Sequence, residues 1–239
     1  MSRGVYVALS GAVAQEHALE TTATNLANAA TPGFQRLRPV FREVLAGASK
    51  KENLRYAEVS ATAVDGSRGA VRTTGRSLDV ALPEGHYLVV TTPRGDRFTR
   101  AGSLSMAADG NLRTTSGTLV REDGKPLVLS AAAGEPSIQP DGAVVQNGEI
   151  VARLKIVRAA EGTTFSHEGG GLLASRGAAP APVTTTLDVG ALEDSNATAV
   201  VAMTELVTAS RTFEAFQRML DTFGECDRKV LTTTPGATE

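Results

Sequence analysis

The side chains that most often carry out chemistry are scarce in this sequence. There are three histidines, His17, His86 and His167, and a single cysteine, Cys226. No two histidines are spaced i and i+4, the arrangement that places two zinc ligands on one helix face. One cysteine excludes an internal disulfide and a cysteine-rich zinc site. The sequence therefore predicts no metal site and no cofactor.

Sequence motifs for nucleophilic catalysis and phosphate binding are also missing. There is no G-x-S-x-G elbow and no G-x-x-x-x-G-K loop. The glycines Gly169 to Gly171 lack the lysine and the following helix that would make a phosphate site. The lone Cys226 has no motif beside it and is interpreted as a small buried or interfacial hydrophobic residue. We therefore expect no catalytic residues.

The overall composition excludes two further classes of protein. The chain has 239 residues, a formal net charge of −2 and 41% hydrophobic residues, but only 4% aromatic residues. Without an overall basic charge it is not expected to bind nucleic acid. No stretch approaches the roughly 18 apolar residues that cross a bilayer, so the protein is not expected to be membrane-embedded. A signal-peptide core is also absent, because Ser10 and Gly11 interrupt the first apolar run.

Glycine and proline divide the chain into two ends and a middle. Both ends contain few of these residues, whereas the middle contains most of them. This pattern predicts a mainly β body of short antiparallel strands between long N- and C-terminal α-helices, α+β overall. We expect a terminal helical assembly domain made of 1–33 and 191–239, a connector at 34–73 and a β-rich globular domain at 74–190.

The first end has the heptad pattern of a helix with one apolar edge. Its seam positions follow a 4-3-4-3-4-3 spacing, interrupted by the polar Glu16, and Pro32 should stop the helix near Thr31. A helix this long cannot bury such a stripe alone. The predicted N-terminal seam consists of Val5, Leu9, Ala12, Leu19, Ala23 and Leu26.

The C-terminal end repeats the same spacing. Its polar seam positions are Ser210 and Gln217, and its candidate helix caps are Asp194, Ser195 and Asn196. Two interpretations stay open: ordinary amphipathic helices packed on a globular body, or helices that pair as a coiled coil with each other and with neighbouring subunits. The predicted C-terminal seam consists of Ala199, Met203, Leu206, Phe213 and Leu220.

The middle of the chain alternates strand patterns with tight turns. Residues 87–90 and 97–100 should form a hairpin around the turn at 93–96. Asn147-Gly148 is one of several further turn signals. Residues 158–190 have a weaker strand pattern, in which Gly169 to Gly171 and Pro180 to Pro182 suggest loops or a linker back to the C-terminal helix.

Residues 34–55 form a locally basic segment. They contain six basic residues but only two acidic ones, Glu43 and Glu52. A nucleic-acid arm would normally interleave aromatic residues for base stacking, which this segment does not do. A solvated connector or a contact to an acidic neighbour is the favoured interpretation. The basic residues are Arg36, Arg38, Arg42, Lys50, Lys51 and Arg55.

Five segments together resemble the signature of bacterial flagellar axial proteins, the rod and hook subunits of the basal body. They occur in the family's order along almost the whole chain, and the length and the Thr-Pro-Gly-Phe form are most similar to those of a proximal rod subunit. The matching residues are Ser10, Gly11, Asn25, Leu26, Ala27, Asn28, Thr31, Pro32, Gly33, Phe34, Phe98, Thr99, Arg100, Gly102, Ser195, Asn196 and Arg211.

The resemblance implies a non-enzymatic structural subunit of the flagellar rod. Such a subunit would polymerise through its terminal helices into the axial drive shaft that transmits motor torque for motility, with the two seams as its assembly interface. Its partners would be copies of itself, other rod subunits and the flagellar type III export apparatus. It would lie in the basal-body rod that crosses the periplasm, exported without a cleaved signal peptide.

Three alternatives are compatible with the same patterns. The chain could be a distal rod subunit or another flagellar axial subunit. It could be a subunit of a related secretion or adhesion filament. It could also be a β-domain ligand-binding protein or enzyme with helical oligomerisation ends, which would require a concave pocket lined by converging polar groups.

Overall fold

The computed structural model describes residues 3–46, 54–130 and 133–233, so Lys50 and Lys51 of the basic segment lie outside the described residues. The chain forms two compact units. The first comprises Met1–Leu26, Arg38–Thr62 and Val200–Glu239, and the second comprises Ala27–Leu37 and Ala63–Ala199.

The first unit contains the long helices and a two-stranded ribbon. Helix α1 spans Arg3–Ala27 and helix α2 spans Ala199–Thr233. Strands β1, Leu37–Ala46, and β2, Leu54–Val64, pair with each other within the segment expected to be a connector. Within the described residues neither helix is long and apolar enough to cross a bilayer.

Two glycines of α1 lie against phenylalanine rings of α2. A Cβ built on Gly4 would lie 2.8 Å from Cζ of Phe223, and one built on Gly11 would lie 2.5 Å from Cε1 of Phe216. The two glycines are seven residues apart, and the two phenylalanines are also seven residues apart, in the opposite order. The helices therefore run antiparallel through these contacts.

The second unit is built from short strands in antiparallel pairs. The largest sheet has the order β14-β15-β6-β5-β9-β8-β7, and β13 pairs with both β5 and β16. Smaller sheets are β10-β11-β12, β17-β4 and β18-β3. The prediction of a mainly antiparallel β protein with an N-terminal and a C-terminal helix is confirmed. The strands are β3 Val71–Thr73, β4 Val80–Ala81, β5 His86–Thr92, β6 Gly95–Thr99, β7 Ser105–Met106, β8 Leu112–Arg113, β9 Thr118–Leu119, β10 Ser137–Ile138, β11 Ala143–Gln146, β12 Glu149–Arg153, β13 Ile156–Arg158, β14 Thr163–His167, β15 Leu173–Gly177, β16 Ala181–Pro182, β17 Asp188–Val189 and β18 Ala191–Glu193.

The turns predicted from the sequence at 93–96 and at Asn147-Gly148 lie in two observed hairpins. In the β5–β6 hairpin Thr92 pairs with Gly95, which leaves a two-residue loop. In the β11–β12 hairpin Asn147 and Gly148 have φ angles of 54° and 80°, the type I′ geometry that follows strand twist. The weak strand pattern of 158–190 conceals two strands, because β14 and β15 pair over five residues each, on either side of the expected loop at Gly169 to Gly171. Their strand signal is weak because few of their side chains are fully buried.

Strand β5 separates two apolar clusters of the second unit. Leu88 and Val90 belong to one cluster, and Tyr87 and Val89 belong to the other. Successive side chains of a strand point to opposite faces of the sheet, so one strand can serve both clusters. The larger cluster is mainly Leu, Val and Ile, as the low aromatic content requires.

Candidate functional site

The segments that carry the sequence motifs meet at a buried ion pair between Arg100 and Glu193. Arg100 follows β6, only 1% of its surface is exposed, and its Nη2 donates a hydrogen bond to Oε2 of Glu193 at the end of β18. The Nε of Arg100 lies 3.1 Å from each carboxylate oxygen. Because a buried charge is costly without a partner, each side chain requires the other to remain in this position.

The remaining donors of Arg100 hold the backbone between β4 and β5. Nη1 donates to the carbonyl oxygens of Pro83 at 2.9 Å and His86 at 2.7 Å, and Nη2 also donates to Leu82 at 3.1 Å. All five N–H donors of the guanidinium thus have acceptors. A buried polar network in which every donor is satisfied specifies one arrangement of the chain.

Glu193 connects this network to two further segments. Its Oε1 accepts a hydrogen bond from the backbone N–H of Gly69 at 3.0 Å. Its backbone carbonyl accepts one from the N–H of Gly33 at 2.8 Å. Glu193 therefore links the Thr-Pro-Gly-Phe segment, the strand region before β3 and the guanidinium of Arg100.

Two motif glycines are required by close packing against backbone atoms. Gly33 has a φ of +70°, and a Cβ on it would lie 2.3 Å from the carbonyl carbon and oxygen of Arg100. A Cβ on Gly102 would lie 1.6 Å from the carbonyl oxygen of Val80. No other residue type can occupy these positions without displacing the backbone.

Asn196 connects the segment before α2 to two loops. Its Oδ1 accepts a hydrogen bond from the N–H of Arg36 at 2.5 Å, and its Nδ2 donates to the carbonyls of Asp65 at 3.0 Å and Ser67 at 2.9 Å. The prediction of Asn196 as a helix cap was wrong, because α2 begins only at Ala199 and the amide satisfies loop backbone instead.

Three further motif side chains, those of Thr99, Thr31 and Ser195, hold local turns. Thr99 Oγ1 donates to the carbonyl of Gly171 at 3.0 Å and accepts from the N–H of Ala101 at 3.1 Å. Thr31 Oγ1 donates to Oδ1 of Asn28 at 3.2 Å, just after α1 ends. The Ser195 hydroxyl accepts from the N–H of Ala197 at 3.1 Å.

Phe34 of the same motif packs in a small cluster with Leu37 and Ala197. The rings of Phe34 and His167 form an edge-to-face contact, with 5.6 Å between ring centroids and an interplanar angle of 79°. Within the described residues the buried Nε2 of His167 has no hydrogen-bond partner. Burial lowers the pKa of His167, because the charged form would lose its hydration.

Tyr87 lies beside the guanidinium of the buried pair. The Cζ of Arg100 is 5.8 Å from the centroid of the Tyr87 ring, within the range of a cation–π contact. Burial raises the pKa of Tyr87, and the nearby positive charge partly opposes that increase. The uncharged Tyr87 side chain therefore borders the ion pair.

On α1 the buried face lies beside the predicted seam and coincides with it only in part. Of the seam residues Ala12 is buried, Leu9 and Ala23 are exposed, and Val5, Leu19 and Leu26 are partly buried. The motif residue Asn25 is buried, and Gly11 makes the Phe216 contact. The fully buried apolar residues of α1 are Ala8, Ala12, Ala14 and Ala18.

On α2 three of the five predicted seam residues lie on the observed inner face. Leu206, Phe213 and Leu220 are partly buried, whereas Ala199 and Met203 are exposed, as is the motif residue Arg211. Ala202, Ala209, Phe216 and Phe223 complete the inner face. They follow the same heptad spacing, one residue from the predicted positions.

Large apolar side chains also lie on the exposed side of both helices, and the sequence pattern did not distinguish them from seam residues. We name one set of three on each helix an outer row. The α1 row consists of Tyr6, Leu9 and Val13, which are 50%, 49% and 46% exposed; the α2 row consists of Val200, Met203 and Val207, which are 77%, 54% and 53% exposed.

Among the described residues no group of three or more His, Cys, Asp or Glu side chains could hold a metal ion. A groove lined by Glu122, Lys155 and Thr184 has a volume of about 210 Å³. Ligand pockets usually have volumes of about 300–1,000 Å³.

Three family profiles match the chain in order. The profile described as flagella basal body rod protein matches residues 5–35. The flagellar hook protein FlgE/F/G D1 domain matches residues 84–146, and the flagellar basal body rod FlgEFG protein C-terminal profile matches residues 189–233. These three ranges contain the Thr-Pro-Gly-Phe segment, Arg100 and Glu193.

Curated relatives align with the chain over nearly its full length. The flagellar basal-body rod protein FlgF of Rhizobium meliloti is 33% identical over 97% of this chain and 98% of its own length. FlgF of Mesorhizobium japonicum is 33% identical over 90% of both chains. The rod protein FlgG of Agrobacterium fabrum is 28% identical over 93% of this chain and 96% of its own length.

Proposed function

Because this chain belongs to the family of flagellar basal-body rod proteins and is a structural subunit of the rod, not an enzyme, we propose that its terminal helices polymerise it into the axial drive shaft. The observation that supports this most directly is the contact of Gly4 with Phe223 and of Gly11 with Phe216. It brings the two chain ends into one helical element that also has exposed apolar faces.

The helical pairing is proposed to be a coiled coil over the length that α1 and α2 share. The inner positions of both helices have the 4-3-4-3 spacing that keeps a seam facing its partner. Small residues on α1 face large rings on α2, so the two surfaces are complementary in shape. Neighbouring subunits would then contact the outer faces and the predicted seam residues that remain exposed, such as Leu9 and Met203.

We assign the working parts of the subunit as follows. Residues 1–33 and 191–239 would form the assembly domain, 34–73 the connector, and 74–190 the globular domain of the shaft's outer shell. The compact units divide the chain differently, because Arg38–Thr62 belongs with the helices and β18 belongs with the second unit. Torque would pass between neighbours through the helices. The network around Arg100 and Glu193 keeps the motif segments in one arrangement under load, because several buried polar bonds would have to break together.

Partners and location follow from the same proposal. The subunit would contact copies of itself and other rod subunits, and would reach the rod through the flagellar type III export apparatus without a cleaved signal peptide. Its place is the rod that crosses the periplasm. The proximal rod is favoured, since the FlgF relatives are more similar to this chain than the FlgG relative.

Complementation tests whether the helices carry assembly. A strain lacking the gene receives the full chain, a chain lacking residues 3–26, or a chain lacking residues 200–233. These ends spare Asn196 and Ala197, which pack within the second unit. We expect motility and rods with the full chain and neither with the truncated chains. Rods built by both truncated chains would overturn the proposal.

A matched full-length variant controls for general damage to the protein. Arg153→Ala removes an exposed ion pair with Asp141 and leaves both helices intact. It should restore motility as well as the natural sequence does. Secretion of each truncated chain into the medium must also be measured, so that loss of export is separated from loss of assembly.

A further inference from the structure

The two outer rows match each other in spacing and chemistry. Tyr6, Leu9 and Val13 are three and four residues apart, and Val200, Met203 and Val207 repeat those intervals. All six side chains are large and apolar, and each is at least 46% exposed. Isolated exposed apolar residues are ordinary, but two matched rows on one helical element indicate a contact surface.

The two rows lie at different heights on the helical element. In the contacts of Gly4 with Phe223 and Gly11 with Phe216, the paired residue numbers add to 227. On this scale Tyr6 is level with Asp221, whereas Val207 is level with Glu20. The rows are thus 14 residues apart, or about 21 Å at 1.5 Å per residue.

A neighbour at the same height would give a poor contact. The α1 row would then face the stretch of α2 that carries Glu214, Arg218 and Asp221, all exposed charged residues. Covering these charges with apolar side chains would remove their hydration without providing partners. The loss of hydration of these charges therefore disfavours a contact between two copies at the same height.

We propose that the α1 row of one copy packs antiparallel on the α2 row of a second copy that is shifted by 14 residues, about 21 Å, along the helix axis. This inference rests on the proposed function. Tyr6 then meets Val207, Leu9 lies beside Met203, and Val13 meets Val200. Apolar surface faces apolar surface along both rows, and the charged stretch of α2 stays in water.

The size of the shift preserves the faces of both helices. Fourteen residues are two heptads, so a shift of this size returns each position to the same side of a heptad-patterned helix. Each copy carries both rows and uses them toward different neighbours. Such a heterologous contact does not close on itself and can repeat as an open chain.

The contact should be weak between two isolated copies. Six partly exposed side chains bury far less than the roughly 1,200–2,000 Å² of a stable protein–protein interface. It would contribute only where each subunit is already held by other rod contacts. We therefore expect it to be detected in assembled basal bodies and not in a dilute solution of the chain.

Thiol cross-linking in isolated basal bodies tests the shift. In a Cys226→Ser chain, Val13→Cys is combined with Val200→Cys, and the control chain combines Val13→Cys with Glu214→Cys at equal height. A short bifunctional thiol reagent should join the first chain into a ladder of multimers, with at least about tenfold more multimer than the control, because neighbours in an assembly have a high effective concentration. A ladder from the control chain instead would overturn the proposal.

A charge-reversal pair covers the case in which cysteine variants fail to assemble. Leu9→Glu and Met203→Lys should each reduce motility, and the double variant should restore it, because the new charges meet between copies. Failure of the double variant to restore motility would contradict the shift. Rods that contain the protein but give no shifted cross-link refute the inference alone, whereas basal bodies without the protein refute the proposed function too.

Discussion

Arg100 and Glu193 form a buried ion pair that joins residues 93 positions apart in the chain. The guanidinium also binds three backbone carbonyls, and the carboxylate binds the N–H of Gly69. Removal of either side chain would therefore leave several buried groups without partners. This pair connects the motif segments that contain Gly33, Arg100 and Glu193.

Arg100→Ala should destabilise the second unit by about 3–5 kcal/mol, because it leaves the Glu193 carboxylate buried and unpaired. Urea unfolding followed by circular dichroism measures the change in the free energy of unfolding. Arg153→Ala is the control, since its pair with Asp141 is exposed and should contribute less than about 1 kcal/mol. Equal losses for the two variants would contradict the role of the buried pair.

Gly33→Ala should be far more costly than Gly75→Ala. Both glycines have φ near +70°, so each substitution pays a similar conformational penalty of about 1–2 kcal/mol. Only at Gly33 would the new Cβ meet backbone, the carbonyl of Arg100, whereas nothing lies within 4 Å at Gly75. Thermal unfolding of both variants isolates the packing effect. Similar melting temperatures would show that the close approach is unimportant.

Gly11→Leu should separate the two helices locally, because the ring of Phe216 occupies the space that the side chain needs. Overpacking of this kind costs about 1–3 kcal/mol. Gly224→Leu is the matched control: it lies in α2, a Cβ there meets nothing within 4 Å, and it should gain up to about 1 kcal/mol in helix propensity. Helix content and urea midpoints of the two variants distinguish these outcomes.

The stability of the protein should fall as the pH falls below the ordinary histidine pKa of about 6.5. The pKa of His167 is lowered by burial, so the unfolded chain binds more protons than the folded chain in that range. The stabilisation is therefore complete above the unfolded pKa and is lost as the pH falls through the folded value.

His167→Gln isolates this contribution. The neighbouring Glu168 does not interfere, because a hydrogen bond from Arg97 holds the pKa of that carboxyl below its usual range. The free energy of unfolding, measured at several pH values between 5 and 8, should depend less on pH in the variant. An unchanged slope would assign the pH dependence to other groups.

The sequence determined most of the architecture through local signals. Pro32 was expected to stop the first helix near Thr31, and α1 ends four residues earlier, at Ala27. Asn147-Gly148 marks a hairpin, because these residues permit the positive φ angles of its turn. The mainly antiparallel β body followed from the density of such turns. The strands β14 and β15 were missed because their half-exposed, mixed side chains give little periodic contrast.

The register of the helices could not be read from hydrophobicity. The inner face of α1 uses small residues, Gly4, Ala8 and Gly11, while larger apolar side chains such as Tyr6 and Leu9 point outward. A pattern that ranks residues by apolar character therefore selects positions beside the true contact. Shape complementarity with Phe216 and Phe223 decides the inner face, and it is visible only when both helices are placed.

Local sequence patterns also could not predict the hydrogen-bond partners of the motif residues. Arg100 is recognisable as part of a motif, but its acceptor on Glu193 is distant in sequence and depends on how β3 pairs with β18. The same holds for Asn196, whose amide was expected to cap α2. Long-range pairing of strands brings these groups together.

This chain is a structural component of the rod. The most direct measurement is electron microscopy of basal bodies isolated from a strain that lacks the protein, compared with the same strain carrying the full chain. We predict that complete rods are absent without the protein, restored by the full chain, and that the restored basal bodies contain the protein. Normal rods and motility in the strain that lacks it would contradict the account.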